Sequence, residues 1–354
     1  GRALSDEIID HRDSAFTREG DDKVSLMFDA EAAEKDRRRE RKIAAQKAQR
    51  RWIEDALVEP QKRLLQYLIQ VGMDKKSQRF TPDKEDVDRA FRKATSWTKP
   101  GRRFNALDQL MAIQNDPVPR YKPSYSGDTV RVFTAGHSLC TINKELRRIL
   151  HPDWIELDLK SAQLAIVAED WGVDRVKKFL RDSEKDIWRD LYDFMEWGSY
   201  GTGISFEHAK PALKKGLYAT VFGAGRRVIT VEIIHGYIDT SGRPDFLLTG
   251  EFVDRFLDHP LVKELLRART EQLEEIKSEG GAQVFGEEID CKKPRAAPSV
   301  LAQLAQAREL KLLLPALGVA EEQMAKTKTR VWIPLWQHDG FSIKVSSSKQ
   351  KRRE

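Results

Sequence analysis

The sequence predicts an α+β protein in which helical segments surround a small antiparallel sheet. Alternating apolar and polar residues from Trp154 to Leu159 are typical of a half-buried strand, and small apolar residues then continue as a helix. Residues 331–336 and 341–345 have the pattern of two strands joined by a short turn. Between these segments, residues 210–222 repeat related side chains at four-residue steps, which indicates a further helix.

The composition is that of a basic globular protein. The chain has 354 residues, 40% of them hydrophobic. That length allows a buried core divided among roughly two or three domains. Lysine and arginine total 62 against 56 aspartate and glutamate residues, so the net charge is +6 and a polyanionic partner is favoured.

Cysteine usage and hydropathy exclude several classes of protein. Cys140 and Cys291 lack the spacing of a zinc site or a disulfide framework, so we expect a reducing compartment. The sequence has no apolar run long enough to cross a bilayer, and its first residues do not resemble a signal peptide. We therefore expect a cytoplasmic protein with no membrane partner.

The first third of the chain is predicted to be helical and basic. Residues 30–71 contain no glycine and a single proline, Pro60, and are rich in helix-forming residues. The Arg- and Lys-rich segment 37–51 fits either a solvated charged helix or a helix that lies against a phosphate backbone. A further helix is expected over residues 82–96, before a loop-rich stretch that ends near Gly127.

Asp158 is the first candidate functional residue, because it stands at the end of the strand predicted from Trp154. A carboxylate in that position can bind a hard cation, with the carbonyl of Leu159 as a further oxygen ligand. The alternative is a structural role, in which Asp158 caps the helix that follows.

The second carboxylate is Asp339, within the sequence Gln337-His338-Asp339-Gly340. We expect this segment to join two strands as a hairpin, with Gly340 at a positive φ angle. A rigid hairpin tip would then present Asp339. The alternative is an ordinary Asp-Gly turn with no chemical role, since this pair is common in hairpins.

Lys210, Lys214, Tyr218 and Phe222 recur at four-residue steps and therefore share one face of a helix of about four turns. Gly223 is expected to end this helix. Cations followed by aromatic rings suit a triphosphate followed by a stacked base. The alternative is an amphipathic helix with solvent-facing lysines and core aromatics.

The order and spacing of these three motifs resemble the polymerase domain of family A DNA polymerases, the DNA polymerase I group. Asp158 and Gln163 match the first family motif, in which an Asp is followed five residues later by a Glu. His338 and Asp339 match the third motif, with Gly340 where the family has Glu. The second motif is matched by Lys210, Lys214, Tyr218, Phe222 and Gly223. Two weaker similarities are the spacing of Arg295, Ser299 and Gln303, and the position of Arg131.

The resemblance implies a right-hand polymerase fold with an antiparallel palm sheet, helical fingers and a helical N-terminal thumb-like region. It assigns residues 1–125 to the basic thumb-like region and residues 126–170 to the first part of the palm. Residues 171–294 would form the fingers. Residues 295–354 would complete the palm with the His-Asp hairpin.

The same resemblance implies a template-dependent DNA polymerase that adds dNTPs to the primer 3′ end. Two Mg²⁺ ions, for which Mn²⁺ could substitute, would bind Asp158, the Leu159 carbonyl and Asp339, and Lys214 would act as general acid. Primed DNA and dNTPs are the implied partners. The implied nucleotide-binding residues are Lys210, Lys214, Tyr218, Gln163, Phe222 and Gly223, and the implied primer or template contacts are Arg131, His338, Gln337, Arg295, Ser299 and Gln303.

Several departures from the family pattern leave the choice of sugar open. Gln163, Tyr218, Phe222 and Gly340 stand where the family has Glu, Phe, Tyr and Glu. A single-subunit RNA polymerase or primase-like enzyme on the same scaffold is therefore one alternative. A catalytically inactive nucleic-acid-binding protein is another. We expect neither a proofreading exonuclease domain nor a 5′ nuclease domain.

Overall fold

The computed structural model describes residues 40, 44, 47, 48, 51–73, 80–124, 129–195, 205–241, 250–291, 296–326 and 331–345. It divides into two compact units, residues 1–54 and 55–354. In the first unit the described residues from Glu40 to Glu54 are helical, as predicted. The cations Arg37, Arg38, Arg39, Arg41, Lys42 and Arg50 lie outside the described residues.

The second unit is a mixed helical and sheet structure. Within its described residues no helix is both long enough and apolar enough to span a membrane. Its strands are β1 (Tyr121–Lys122), β2 (Phe133–Thr134), β3 (Trp154–Asp158), β4 (Gly281–Val284), β5 (Glu287–Asp290), β6 (Val331–Gln337) and β7 (Gly340–Val345). Its helices are α1 (Glu59–Met73), α2 (Lys84–Thr95), α3 (Pro100–Asn115), α4 (Lys144–Leu150), α5 (Ala162–Asp170), α6 (Asp174–Arg181), α7 (Ile187–Met195), α8 (Phe206–Val221), α9 (Arg226–Ser241), α10 (Gly250–Asp258), α11 (Pro260–Glu279) and α12 (Ala296–Met324).

A three-stranded antiparallel sheet joins the strand predicted from Trp154 to the two strands of the predicted hairpin. Its strand order is β3–β7–β6, with β7 in the centre. Asp158 lies opposite Gly340 in the β3–β7 ladder, and Gln337 lies opposite Gly340 in the β6–β7 ladder. The predicted strand and hairpin are therefore confirmed, and the turn at His338 and Asp339 lies beside the C-terminal end of β3.

Two tyrosine hydroxyls stabilise β6 where its regular pairing is interrupted. The register shifts between Trp332 and Leu335, around Pro334, which has no N–H to donate. The Ile333 N–H donates to the Tyr67 hydroxyl at 2.9 Å, and the Trp336 N–H donates to the Tyr121 hydroxyl at 2.8 Å. Burial raises the pKa of Tyr67 to about 12. Helix α1 and strand β1 are thus joined to the sheet by bonds that satisfy its backbone.

Helix α8 begins after Ser205 and ends in a Schellman motif, in agreement with the prediction. Gly223 has φ +81°, and its N–H donates to the Thr220 carbonyl. The Ala224 N–H donates to the Ala219 carbonyl at 3.0 Å, which completes the motif. One face of α8 enters a core shared by α5, α6, α7, α9, α10 and α11.

The predicted positive φ at Gly340 is wrong. Gly340 is not among the described glycines in the left-handed region, and its backbone belongs to β7. The need for glycine comes instead from a close approach of strands. A Cβ at this position would lie 2.9 Å from the Asp158 Cα and closer still to the Leu157 carbonyl oxygen.

We therefore predict that Gly340→Ala will separate β3 from β7 and lower the free energy of unfolding by ~1–3 kcal/mol, the range expected for overpacking. Urea unfolding at equilibrium would measure the change. Gly101→Ala is the matched control, because no atom lies within 4 Å of the added Cβ on α3. The control should be neutral or stabilising by ~0.5–1 kcal/mol. Equal effects of the two substitutions would contradict the close-approach explanation.

Candidate functional site

Two carboxylates meet at the end of the sheet. The Leu159 N–H donates to the Asp339 carbonyl at 2.8 Å, which fixes the β6–β7 turn against the end of β3. Burial and then the charge of Asp339 raise the pKa of Asp158, whereas Lys144 and Lys214 oppose this shift. The sheet therefore holds two like charges close enough to influence each other.

The proposed capping role of Asp158 is not what the structure shows. The N-cap of α5 is Ser161, which has the unusual left-handed angles φ 52° and ψ 38°. A non-glycine residue in this region costs roughly 1–2 kcal/mol. Ser161 lowers the pKa of Tyr218 of α8, opposing the larger effect of burial. Asp158 is thus not at the N-cap, and the residue that is at the N-cap influences Tyr218.

The predicted face of α8 is less buried than the opposite face, although Tyr218 also packs against the helical core. Lys214 is exposed, Lys210, Tyr218 and Phe222 are partly buried, and the opposite face is buried. Lys214 Nζ lies 5.7 Å from the centroid of the Tyr218 ring, and the Tyr218 and Phe222 rings stack with centroids 6.3 Å apart. Lys210 Nζ lies 3.8 Å from Asp186 Oδ2. Cations and aromatic rings therefore form one continuous surface.

Electrostatic contacts place this surface beside the carboxylates. Burial raises the pKa of Tyr218, and the charges of Asp339, Glu309 and Asp158 raise it further. Lys214 acts in the opposite sense on Asp158, whose pKa it lowers. The structure thus brings together Asp158, Asp339, Lys214 and Tyr218 from three separate motifs.

An open cleft of about 420 Å³ borders the carboxylates on a side that Lys214 and Tyr218 do not line. Asp158, Asp339, His338 and Gln337 all line it. Its remaining lining residues are Tyr121, Val132, Phe133, Thr134, Cys140, Thr141, Lys144, Arg147, Glu156, Leu157 and Trp336. The two carboxylates therefore line this cleft, and Asp158 also interacts electrostatically with Lys214 of α8.

Glu156 and Lys144 belong to this cleft and were not identified from the sequence. Glu156 accepts from Arg147 Nε at 2.7 Å and from Arg148 Nε at 2.9 Å, and lies 3.6 Å from Lys144 Nζ. Burial acts to raise the pKa of Glu156, but Arg147 and Arg148 hold it below its usual value. The sequence does contain one indication of Glu156, because it lies two residues before Asp158 and the alternation of a strand places both carboxylates on one face of β3.

His338 presents a neutral imidazole. Burial, reinforced by the charge of Arg131, lowers the pKa of His338 to about 4 even though Asp339 opposes the shift. Its Nδ1 is buried and has no hydrogen-bond partner in the described part of the chain. The ring packs edge-on against Phe133, with centroids 5.1 Å apart. His338 can therefore accept or donate one hydrogen bond without adding charge.

A third carboxylate, Glu309 of α12, joins two of the predicted residues. Gln163 Nε2 donates to Glu309 Oε1 at 2.6 Å, and Arg131 Nη2 donates to Glu309 Oε2 at 2.8 Å. Only 1% of Glu309 is exposed. Glu309 belongs to none of the sequence motifs, and its partners are more than a hundred residues away in the chain, so no local pattern indicated it.

Of the three residues predicted near α12 to contact primer or template, the structure describes Ser299 and Gln303. Ser299 is exposed, while Gln303 is buried and its Oε1 has no partner within the described residues. Neither residue lines the 420 Å³ cleft. Arg295, the first residue of this predicted set, lies outside the described residues.

The donor set at the carboxylates suits a hard divalent cation. Mg²⁺ prefers oxygen ligands and is commonly bound by one or two carboxylates together with substrate phosphates. Asp158 and Asp339 supply such a pair, and burial together with the charge of Asp339 raises the pKa of Asp158. The described residues contain no cluster of three or more His, Cys, Asp or Glu side chains suited to a metal. Any such ion would therefore depend on this pair and on its substrate.

Comparison with known proteins finds similarity among solved structures. No protein-family model matches the chain, and no curated protein matches it. Among solved structures, the chain is similar to the POL domain of Pol1 from M. smegmatis in complex with DNA primer-template and dNTP, at 13% sequence identity and a TM-score of 0.48. The similarity covers 87% of this chain and 60% of that one.

The raised pKa of Asp158 leads to a stability prediction. Above its folded-state pKa, the ionised carboxylate is less favourable in the folded chain than in the unfolded chain, and this disadvantage is lost as the pH falls through that pKa. Asp158→Asn should therefore be at least as stable as the parent at neutral pH, with the difference shrinking in acidic buffer.

Thermal unfolding across this pH range would test the prediction. Asp88→Asn, an exposed change on α2, serves as the control and should not alter the pH dependence. A loss of stability of Asp158→Asn that is largest at neutral pH would show that the carboxylate is favourably paired, contrary to the expectation.

Proposed function

We propose that this chain is a template-dependent DNA polymerase that transfers a nucleotidyl group from a dNTP to the 3′ end of a primer. The observation that supports it best is the meeting of Asp158 and Asp339 at adjoining strand ends, opposite the cationic and aromatic face of α8. Phosphoryl transfer depends mainly on positioning and on stabilisation of charge, which is what such an arrangement provides.

In this proposal the reaction forms one bond and breaks another at the α-phosphorus. The primer 3′ oxygen bonds to phosphorus, the bridging oxygen leaves with pyrophosphate, and the hydroxyl proton passes to solvent water. Asp158, Asp339 and the Leu159 carbonyl would hold two Mg²⁺ ions, which would activate the hydroxyl and stabilise the charge on the phosphates. Mn²⁺ could take the same place.

Helix α8 would bind the nucleotide. Lys214, which already acts on the charge of Asp158, would neutralise the phosphates and donate a proton to the leaving pyrophosphate. Lys210 would bind the terminal phosphate, and Tyr218 would stack on the base. The charge pattern along α8 therefore follows the order of phosphate and base in a nucleotide.

The 420 Å³ cleft would bind the primer terminus. Lys144 supplies a cation there, and the neutral His338 and Gln337 supply hydrogen-bonding groups without repelling the template or primer. The corresponding domain proposal assigns the three-stranded sheet to a palm, residues 171–294 to fingers and the N-terminal helices to a thumb-like region. The basic segment 37–51 would add sequence-independent affinity for DNA.

A second candidate is an RNA polymerase or primase-like enzyme on the same scaffold. The observation that favours it is Gln163, a neutral amide held near the nucleotide surface, where the resembling family has a carboxylate. Parallel assays with dNTPs on a primed template and with rNTPs on an unprimed template distinguish these enzymes. Binding to primed DNA with no incorporation would support an inactive binding protein instead.

Replacing either central carboxylate should abolish synthesis. We predict that Asp158→Ala and Asp339→Ala each lower primer extension by at least about a thousandfold, equivalent to ~4 kcal/mol of transition-state stabilisation. Single-nucleotide extension of a labelled primer would measure this. Asp153→Ala is a matched control, because Asp153 pairs with Lys344 at the opposite end of β3. Persistent synthesis in either central variant would refute the assignment.

Lys214 should contribute to chemistry more than to binding of primed DNA. We predict that Lys214→Ala lowers the rate of single-turnover incorporation by about a hundredfold or more, the usual contribution of a general acid. Lys178→Ala, an exposed change on α6, should leave the rate unchanged. Equal rates for the Lys214 variant and its parent would remove Lys214 from the mechanism.

A further inference from the structure

Glu309 is a buried carboxylate whose two oxygens bind different elements of the proposed site. Its Oε1 accepts from Gln163 Nε2 at 2.6 Å, and its Oε2 accepts from Arg131 Nη2 at 2.8 Å and Nε at 3.2 Å. Burial raises the pKa of Glu309, while Arg131 and Gln163 oppose the shift. A single side chain thus joins the start of α5 to the segment before β2.

The contact with Glu309 fixes the direction of the Gln163 amide. Because the carboxylate accepts hydrogen bonds, Gln163 must turn its NH₂ group toward it, and the amide oxygen must face elsewhere. That oxygen, Oε1, is buried and has no partner among the described residues. A buried acceptor left unpaired costs about 1–3 kcal/mol, so a ligand that donates a hydrogen bond would be favoured there.

The place of Gln163 in the fold indicates which part of a ligand would reach this position. Gln163 lies five residues after Asp158, in the first turn of α5, and α5 packs against α8, which carries Tyr218. The electrostatic effects agree with this placement, because Glu309 acts on the pKa of Tyr218 and Asp339 acts on the pKa of Glu309. In a nucleotide whose base lies on Tyr218 and whose phosphates lie near Asp158 and Asp339, the sugar is the part that would lie nearest the Gln163–Glu309 pair.

We propose that Glu309 is a positioning residue that presents the Gln163 amide oxygen to a sugar hydroxyl of the incoming nucleotide while it holds Arg131 in place. This inference rests on the proposed polymerase function. The hydroxyl is the 3′ group of a dNTP or the 2′ group of an rNTP, and both are donors of the same chemistry. Glu309 acts through Gln163 and does not itself contact the substrate.

The test compares kcat/KM for three nucleotide types, dNTP, rNTP and ddNTP. These values are measured in the parent protein, in Glu309→Gln, in Gln163→Glu and in the variant that carries both substitutions. Glu309→Gln lets the Gln163 amide rotate, so discrimination among the three sugars should change by about tenfold, equivalent to ~1.4 kcal/mol. A change in the dNTP to ddNTP ratio identifies the 3′ hydroxyl. A change in the rNTP to dNTP ratio identifies the 2′ hydroxyl.

The double variant separates positioning from general structural support. Exchanging the amide and the carboxylate restores their contact and again turns an acceptor toward the sugar, so discrimination should return toward the parental value. Glu309→Gln should also raise the KM for primer, because Arg131 loses its carboxylate, and this effect should persist in the double variant. Glu321→Gln, on the same helix but paired with Arg63 at the surface, should leave sugar discrimination unchanged.

Two outcomes would overturn the inference. Unchanged sugar discrimination in Glu309→Gln, with lowered thermal stability, would reduce Glu309 to a structural residue. Failure of the double variant to recover discrimination would show that the amide–carboxylate contact is not what matters. If Glu309→Gln does not fold, Glu309→Asp withdraws the carboxylate from Gln163 while it retains the charge, and unchanged sugar discrimination in this variant would likewise contradict the inference. No incorporation by the parent chain would instead refute the proposed function on which the inference depends.

Discussion

The close pairing of β3 with β7 is the constraint on which the rest of the structure depends. Asp158 faces Gly340 across the ladder, and the space between the strands admits no side chain at that glycine. The same pairing holds the β6–β7 turn against Leu159, so Asp339 reaches the end of β3. Neither carboxylate could be placed by its own strand alone, because their proximity arises from the sheet.

This arrangement concentrates negative charge that the protein compensates only partly. Asp339 and burial disfavour the ionised form of Asp158, whereas Lys144 and Lys214 favour it from the cleft and from α8 respectively. Glu156, by contrast, is fully engaged with neighbouring cations. The charge of Asp158 is therefore compensated only in part, which is a property expected of a site that accepts a cation.

Local periodicity predicted the elements of this site, while long-range contacts determined how it works. β3, β6, β7 and α8 were predictable because strand alternation, helical spacing and a C-terminal glycine act over a few residues. The hydrogen bonds between β6 and the hydroxyls of Tyr67 and Tyr121 join residues more than two hundred positions apart, and no local pattern predicts them. The same separation in the chain concealed Glu309, and the role of Gly340 was misassigned because strand proximity was unknown.

Gly340 also limits where a further carboxylate could stand at the end of the sheet. Even a Cβ at this position would collide with the backbone of β3. A carboxylate introduced here by substitution would therefore displace Asp158. A buried carboxylate is present on α12, where Glu309 accepts hydrogen bonds from Arg131 and Gln163. The carboxylates of this region thus differ in exposure, because Asp158 and Asp339 are exposed at the sheet end whereas Glu309 is buried.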